Sequence, residues 1–154
     1  MDTPVPSFDA VKSKNTTREQ WQSAAEAWFR WSPTLHAWLG GATETMLDMA
    51  GVSTGQRVLD VAAGAGEGSM SATRRVGPTG HVLATDISSN ILEFAAQMAK
   101  EAGLDNMATQ VMDGEHLDVP DASFDVVISR VGLIYFPDQQ RALKDDLALK
   151  AEQQ

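Results

Sequence analysis

Val58-Leu59-Asp60-Val61-Ala62-Ala63-Gly64-Ala65-Gly66-Glu67-Gly68-Ser69 passes from an apolar strand, through an acidic residue, into a glycine-rich turn. A helical pattern follows over residues 67–76. Strand, tight turn and helix in that order open an α/β unit. Glycine lacks a Cβ and accepts positive φ, so the turn lets backbone N–H groups approach a small ligand at a helix N-terminus.

The alternation continues on the C-terminal side. The pattern predicts strands at 57–61, 81–85, 108–112 and 124–129. Gly77-Pro78-Thr79-Gly80 is a turn, and Ser88 or Ser89 caps a helix that runs to about Glu101 and closes at Gly103. The run at 124–129 is almost wholly apolar, as in a strand covered on both faces. A closing helix is expected over 138–150. This order predicts an α/β fold with a doubly wound parallel sheet and N-terminal helices. Before the sheet, residues 1–15 read as a loose arm with Pro4 and Pro6. Thr16 or Thr17 then caps a helix from about Arg18, with Trp21, Ala25, Trp28 and Phe29 at helical spacing. Ser32-Pro33 breaks it; Leu35, Trp38 and Leu39 resume an apolar face, and a further helix over 42–50 ends at Gly51. Two parts result: residues 1–50, an arm and helical lid, and residues 51–154, the sheet domain.

The chain of 154 residues is long enough for one domain with a core. Its formal net charge of −9 repels phosphate backbones and disfavours a nucleic-acid partner. There is no Cys, which excludes disulfides, thiolate metal sites and a cysteine nucleophile. No apolar run is long enough to span a bilayer, and the polar start is not a signal peptide, so the cytoplasm is the expected location.

The chemistry-bearing residues all fall at predicted strand ends: Asp60 and the Gly64/Gly66 turn, Asp86, Asp113-Gly114, and Ser129-Arg130. In an open α/β sheet those ends share one rim. Each residue alone has a plain structural reading, as a cap, a turn or a tight connection. Four successive strand ends together point to a ligand. In a dinucleotide-binding fingerprint the acid lies after the next strand; here Asp60 precedes the glycines and Asp86 follows the second strand. That spacing suits a ligand with an amino group at one end and a ribose in the middle, such as S-adenosylmethionine, and argues against a nicotinamide-dependent oxidoreductase. The three His, at 36, 81 and 116, are scattered without ligand spacing, so no metal is expected.

From about Arg57 to Asp138 the chain resembles the class I S-adenosylmethionine-dependent methyltransferases, nearest to small-molecule enzymes like the ubiquinone/menaquinone-biosynthesis C-methyltransferases. The resemblance rests on residues 58–66, on Thr85-Asp86-Ile87-Ser88, and on Asp118-Val119-Pro120-Asp121-Ala122-Ser123-Phe124-Asp125-Val126-Val127. Ala62 stands where that family usually has glycine. The resemblance implies a Rossmann-like sheet in the order 3-2-1-4 and roles for single residues. Asp60 and the backbone of Ala62, Gly64 and Gly66 would hold the methionine end. Asp86 would take the ribose hydroxyls, and Ile87 would pack on the adenine. Asp113 would accept from the adenine amino group, with Gly114 and Glu115 shaping that pocket. Ser129 and Arg130 would line the methionine side.

Methyl transfer from a sulfonium needs chiefly positioning and exclusion of water. A general base is required only where the acceptor must lose a proton, and the weak candidates are His116, His36 and Tyr135. The tryptophans at 21, 28, 31 and 38 read both as a packing face and as an aromatic lid, which would suit an apolar or aromatic small-molecule acceptor. The family sheet has seven strands, whereas this sequence supplies four. It therefore reads as C-terminally truncated relative to that family, with an apolar edge at 124–129 open to self-association. Methyl transfer to a small molecule is the expected activity; the alternative is a catalytically weak or inactive relative that binds the donor or a protein partner without turnover.

Overall fold

Five residues, RVLDV in strand β1 (Arg57–Val61), organise the sheet, and four of them are buried. In this computed structural model, which describes residues 7–150, β1 is preceded by helices α1 (Ala10–Arg30) and α2 (Ser32–Met49) and followed by α3 (Glu67–Val76). Then come β2 (His81–Asp86), α4 (Ser89–Glu101), β3 (Met107–Val111), β4 (Val126–Ile128), a single 3-10 turn at Leu133–Tyr135 and α5 (Gln139–Leu149). The four strands form one sheet in the order β3-β2-β1-β4, all parallel. The Rossmann-like order 3-2-1-4 is therefore observed.

Side-chain alternation along the strands divides the core. Val58 faces α3, packing with Val82, Val126, Ala72 and Val76, and Leu47 of α2 joins them. Ala84 faces α4, where it meets Leu92 and Ala95. Leu59 and Val61 point to the opposite face, against Phe124 and Leu149 at the end of α5. Burial of each fully enclosed aliphatic side chain is worth about 1.5–3 kcal/mol. These layers fix the strands, and the register then places Asp60 opposite Ala84 and Ile128, and Asp86 opposite Val111. The acidic strand ends consequently share one rim.

The N-terminal region differs from the sequence expectation. α1 starts at Ala10, capped by the Asp9 side chain accepting from the Lys12 N–H at 3.0 Å, and not near Arg18 under Thr16 or Thr17. Residues 10–15 are helix, not loose arm; residues 1–6 lie outside the described residues. The first turns of α1 are largely exposed, so no apolar stripe announces them. α2 is one helix through Gly40-Gly41, with Pro33 in its first turn, where a missing N–H costs nothing. Its second half packs Thr43 and Leu47 into the body, which outweighs the weak helix propensity of two glycines. β4 is shorter than expected, ending at Ile128. Its leading edge is partly covered: the Ala122 and Phe124 N–H groups donate to the Ala148 and Leu149 carbonyls, and Phe124 pairs with Lys150 in parallel.

Gly66, at φ 86°, opens α3 against α4. A Cβ there would lie 2.8 Å from the Ala95 Cβ. Gly66→Ala should lower stability by about 2–4 kcal/mol, combining left-handed strain with overpacking. Urea unfolding of the two proteins measures this; equal midpoints would show that α3 and α4 can separate freely.

Candidate functional site

The carboxyl ends of the strands open into a cavity of about 300 Å³. Its floor comes from the turn after β1, the end of β2 and the loops after β3 and β4. Its roof comes from α1 and α2 through Trp21, Trp28, Leu35, Trp38 and Leu39. The expected residues Asp60, Ala62, Gly64, Asp86, Ile87, Asp113, Gly114, Arg130 and Tyr135 all line it. Gly66, Glu115, Ser129, His36 and His116 do not. Gly66 packs on α4, Glu115 is buried behind the wall, and the Ser129 hydroxyl is buried without a hydrogen-bond partner among the described residues. His81 begins β2, at the opposite end of the sheet.

The turn after β1 owes its shape to backbone conformations that most residues avoid. Ala62 has φ 58° and Gly64 φ 60°. The sequence has alanine at the first of these positions and so carries local strain there. The Gly64 N–H donates to Asp86 Oδ2 at 3.0 Å, and the Ser88 N–H donates to Asp86 Oδ1 at 3.0 Å. Those bonds hold the Asp86 carboxylate in place and leave each oxygen able to accept again. Burial pushes the Asp86 carboxyl above its ordinary range, opposed by the N–H groups of Ser88, Gly64 and Ile87.

Asp60 is only 3% exposed. The Ser69 hydroxyl donates to its Oδ2 at 2.6 Å. Burial pushes its carboxyl up to about 7, against the opposing effects of that hydroxyl and of the Arg130 charge. Arg130 is anchored in turn: its Nη1 donates to Thr43 Oγ1 at 2.6 Å and lies 3.3 Å from Glu67 Oε1. His36 of α2 meets the same Glu67 carboxylate through Nδ1 at 3.1 Å, but its side chain is 67% exposed. It braces the roof and does not enter the cavity. His116 lies 3.4 Å from Asp113 Oδ2, on the outer side of that loop. Tyr135 is the one proposed base in the cavity wall, and its ring packs edge-on against Trp21 at 5.5 Å.

Three of the four tryptophans line the cavity, whereas Trp31 sits at the α1–α2 joint and is 58% exposed. Trp21 and Trp28 also meet edge to face at 5.1 Å. Packing face and aromatic roof are thus the same surface. Lys14 was not anticipated: its ammonium reaches Asp113 Oδ2 at 2.6 Å and Glu115 Oε2 at 2.5 Å. It lies in a stretch without apolar periodicity, and no local pattern marks it. Among the described residues no group of three or more His, Cys, Asp or Glu is placed to hold a metal ion.

The strand-end side chains that face the cavity are therefore mostly hydrogen-bond acceptors. Three carboxylates, from the ends of three neighbouring strands, look into one small cavity whose roof is apolar. Such a wall fits a ligand that carries hydrogen-bond donors along its length and a cationic or amino end.

A family model described as a methyltransferase domain matches residues 53–153. Over 98 residues the chain is 38% identical to an aklanonic acid methyltransferase from a Streptomyces species, covering 64% of this chain and 44% of that protein. Over 99 residues it is 38% identical to a ubiquinone/menaquinone biosynthesis C-methyltransferase of Haemophilus ducreyi, covering 64% and 38%. The chain thus spans less than half the length of these curated relatives. Among solved structures it resembles an arsenic(III) S-adenosylmethionine methyltransferase from Chlamydomonas reinhardtii at 33% identity and TM-score 0.61, covering 66% of this chain and 37% of that one. It also shares the fold of an S-adenosylmethionine-dependent methyltransferase from Aquifex aeolicus, at 20% identity and TM-score 0.66, over 94% and 68%.

The buried Asp60 predicts a pH signature. Its carboxyl titrates near 3.8 when unfolded and at about 7 when folded. Between those values the folded chain holds a proton that the unfolded chain has released, so this contribution is complete below pH 3.8 and is lost as pH rises through about 7. Asp60→Asn abolishes the loss. Its stability relative to the parent should therefore rise between acidic and neutral pH, by on the order of 2–4 kcal/mol. Urea unfolding at both ends of that window reads the difference; a pH-independent gap would mean that burial does not penalise the charge.

Proposed function

The chain belongs to the methyltransferase-domain family, and on that premise we propose that it binds S-adenosylmethionine at the strand ends and transfers its methyl group to a small molecule. The observation that carries this is the convergence of Asp60, Asp86 and Asp113, from the ends of β1, β2 and β3, on one cavity. When bound, the donor supplies an electrophilic methyl group on a sulfonium that departs as a neutral thioether.

The chain's own residues then bind, orient and exclude water. Asp60 and the backbone of the Ala62–Gly66 turn hold the methionine end, where the Ser69 hydroxyl fixes the Asp60 carboxylate and the Arg130 charge favours its anion. Asp86, held by two backbone N–H groups, accepts from the ribose hydroxyls. Ile87 covers one face of the adenine, and Asp113 accepts from its amino group. Gly114 keeps that end open: a Cβ there would lie 2.2 Å from the Phe136 ring, forcing it to move. Glu115 acts from behind the wall by orienting Lys14 and the Asp138 N–H. Ser129 and Arg130 border the methionine side, Ser129 from beneath the cavity wall.

The acceptor lies under α1 and α2. Trp28, Leu35, Trp38 and Leu39 offer it an apolar, partly aromatic surface. This supports a small apolar or aromatic acceptor, a class in keeping with the aklanonic acid and ubiquinone/menaquinone in the names of the relatives. Tyr135 is the residue placed to take a proton if the acceptor must lose one. We divide the chain into a helical lid, described over residues 7–50, and a donor-binding part, described over residues 51–150. No described helix is long and apolar enough to cross a membrane, and we place the protein in the cytoplasm. Two copies associate through the outer edge of β4 beyond its short pairing with residues 148–150.

Calorimetric titration with S-adenosylmethionine, S-adenosylhomocysteine and NAD tests the donor. The first two should bind and NAD should not, and Asp86→Ala should weaken S-adenosylhomocysteine binding by about 100-fold through loss of two charge-assisted hydrogen bonds. Binding of NAD alone would refute the assignment. A methyl-transfer screen over apolar aromatic acceptors tests turnover; donor binding without transfer to any of them would leave a binding module. Light scattering at high concentration should show a dimer, and a monodisperse monomer would remove pairing through β4.

A further inference from the structure

The first half of α1 is tied to the rest of the protein by one side chain. Among the described residues, Lys14 alone in residues 10–20 makes a hydrogen bond or ion pair to another element. The second half is fastened differently. Gln22 accepts from the Ser88 hydroxyl and the Asn90 N–H and donates to the Ser89 hydroxyl, while Ala25, Trp21 and Trp28 pack against Ile91 and Ala65. Helix α1 is thus anchored near its middle and latched at its exposed end.

The latch sits on the adenine end of the cavity. The loop after β3 offers four carboxylate oxygens. Asp113 Oδ1 accepts from the Glu115 N–H, and Glu115 Oε1 accepts from the Asp138 N–H. Asp113 Oδ2 and Glu115 Oε2 are the two that receive the Lys14 ammonium. Lys14 and Asp113 both line the cavity, and Glu115 stands behind it. A neutral amino group makes a weaker hydrogen bond to a carboxylate than an ammonium does. A carboxylate oxygen can accept twice, but an ammonium on Asp113 Oδ2 draws off its charge and crowds it, so the amino group gains that oxygen in full when Lys14 gives it up, which Lys14 can do while retaining Glu115.

We propose that Lys14 is a latch that closes α1 over the cavity and competes with the adenine amino group for Asp113, so that donor binding and release of the first half of α1 are coupled. This rests on the donor assignment above. It adds a residue that sets donor affinity from outside the strand ends and makes the start of α1 a strap that answers to occupancy. The directions agree: burial alone would push Asp113 up and Lys14 down, and the contacts within the Lys14, Asp113 and Glu115 group, with His116 beside Asp113, reverse both.

Hydrogen exchange and calorimetry with S-adenosylhomocysteine test it in the full chain, using the parent, Lys14→Met and Lys14→Arg. Without ligand, Lys14→Met should raise exchange across residues 10–20 by about tenfold and leave β1 and α4 unchanged. Its affinity for S-adenosylhomocysteine should be about tenfold higher than the parent's, with Lys14→Arg close to the parent. In the parent itself, raising salt from about 0.05 M to about 0.5 M should tighten binding by screening the latch, and this salt effect should vanish in Lys14→Met. Parent-like or weaker binding by Lys14→Met, beside a parent that binds, would overturn the latch and leave the donor assignment intact. Unchanged exchange over residues 10–20 would also overturn it. Binding by neither protein would overturn the donor assignment and the latch together.

Discussion

β1 is hydrogen-bonded along both edges, to β2 and to β4, and this double pairing governs where ligand-facing groups can stand. A strand enclosed in that way has no free edge, so polar chemistry is confined to its ends. Parallel crossovers start from the carboxyl ends, and the loops that leave them meet along one rim. The chain leaves β1 over Ala62 and Gly64, both at positive φ, and immediately enters α3. The Gly64 N–H reaches across to Asp86 on the neighbouring strand. Two strand ends are therefore cross-braced by one turn, and the cavity wall inherits the rigidity of the sheet.

Against this rigid wall, Asp60 carries an electrostatic strain. A carboxylate with so little exposure is disfavoured as an anion. The chain answers with the Ser69 hydroxyl from α3 and the Arg130 guanidinium from the loop after β4. Arg130 is itself held by Thr43 of α2 and faces Glu67, which also meets His36. The set links two helices and a loop around a single buried acid. Replacing it with aliphatic side chains would follow the logic of the neighbouring Val58–Val82–Val126 cluster. A costly charge in the floor of a cavity is the pattern expected where binding takes precedence over stability.

Much of this was legible in the sequence, for identifiable reasons. Strand ends could be located because β1, β2 and β4 read as apolar runs, and the first three strands each stop at or near an acid or a glycine. That is why Asp60, Asp86 and Asp113 could be named together before their positions were known. The cap of α4 was legible to within one residue, as Ser88 or Ser89, and the structure uses Ser88. The start of α1 was not legible. Its first turns are solvated, and Asp9 and Lys14 act through contacts that no periodicity encodes. The continuity of α2 was hidden by Gly40-Gly41, since tertiary packing of Thr43 and Leu47 overrides local propensity. Gly66 and Gly64 looked equivalent; only the approach of Ala95 distinguishes a packing glycine from a cavity glycine.

The distribution of indole rings has an optical consequence. All four tryptophans of the chain fall within residues 21–38, in the two roof helices and their joint, and none lies in the sheet. Trp21 touches both Trp28 and the sole tyrosine, Tyr135, which belongs to the opposite wall. Tryptophan emission from the unlabelled protein therefore originates in the two roof helices and their joint, and energy passing from Tyr135 to Trp21 crosses from wall to roof. The protein carries its own spectroscopic gauge of how far the roof stands from the wall.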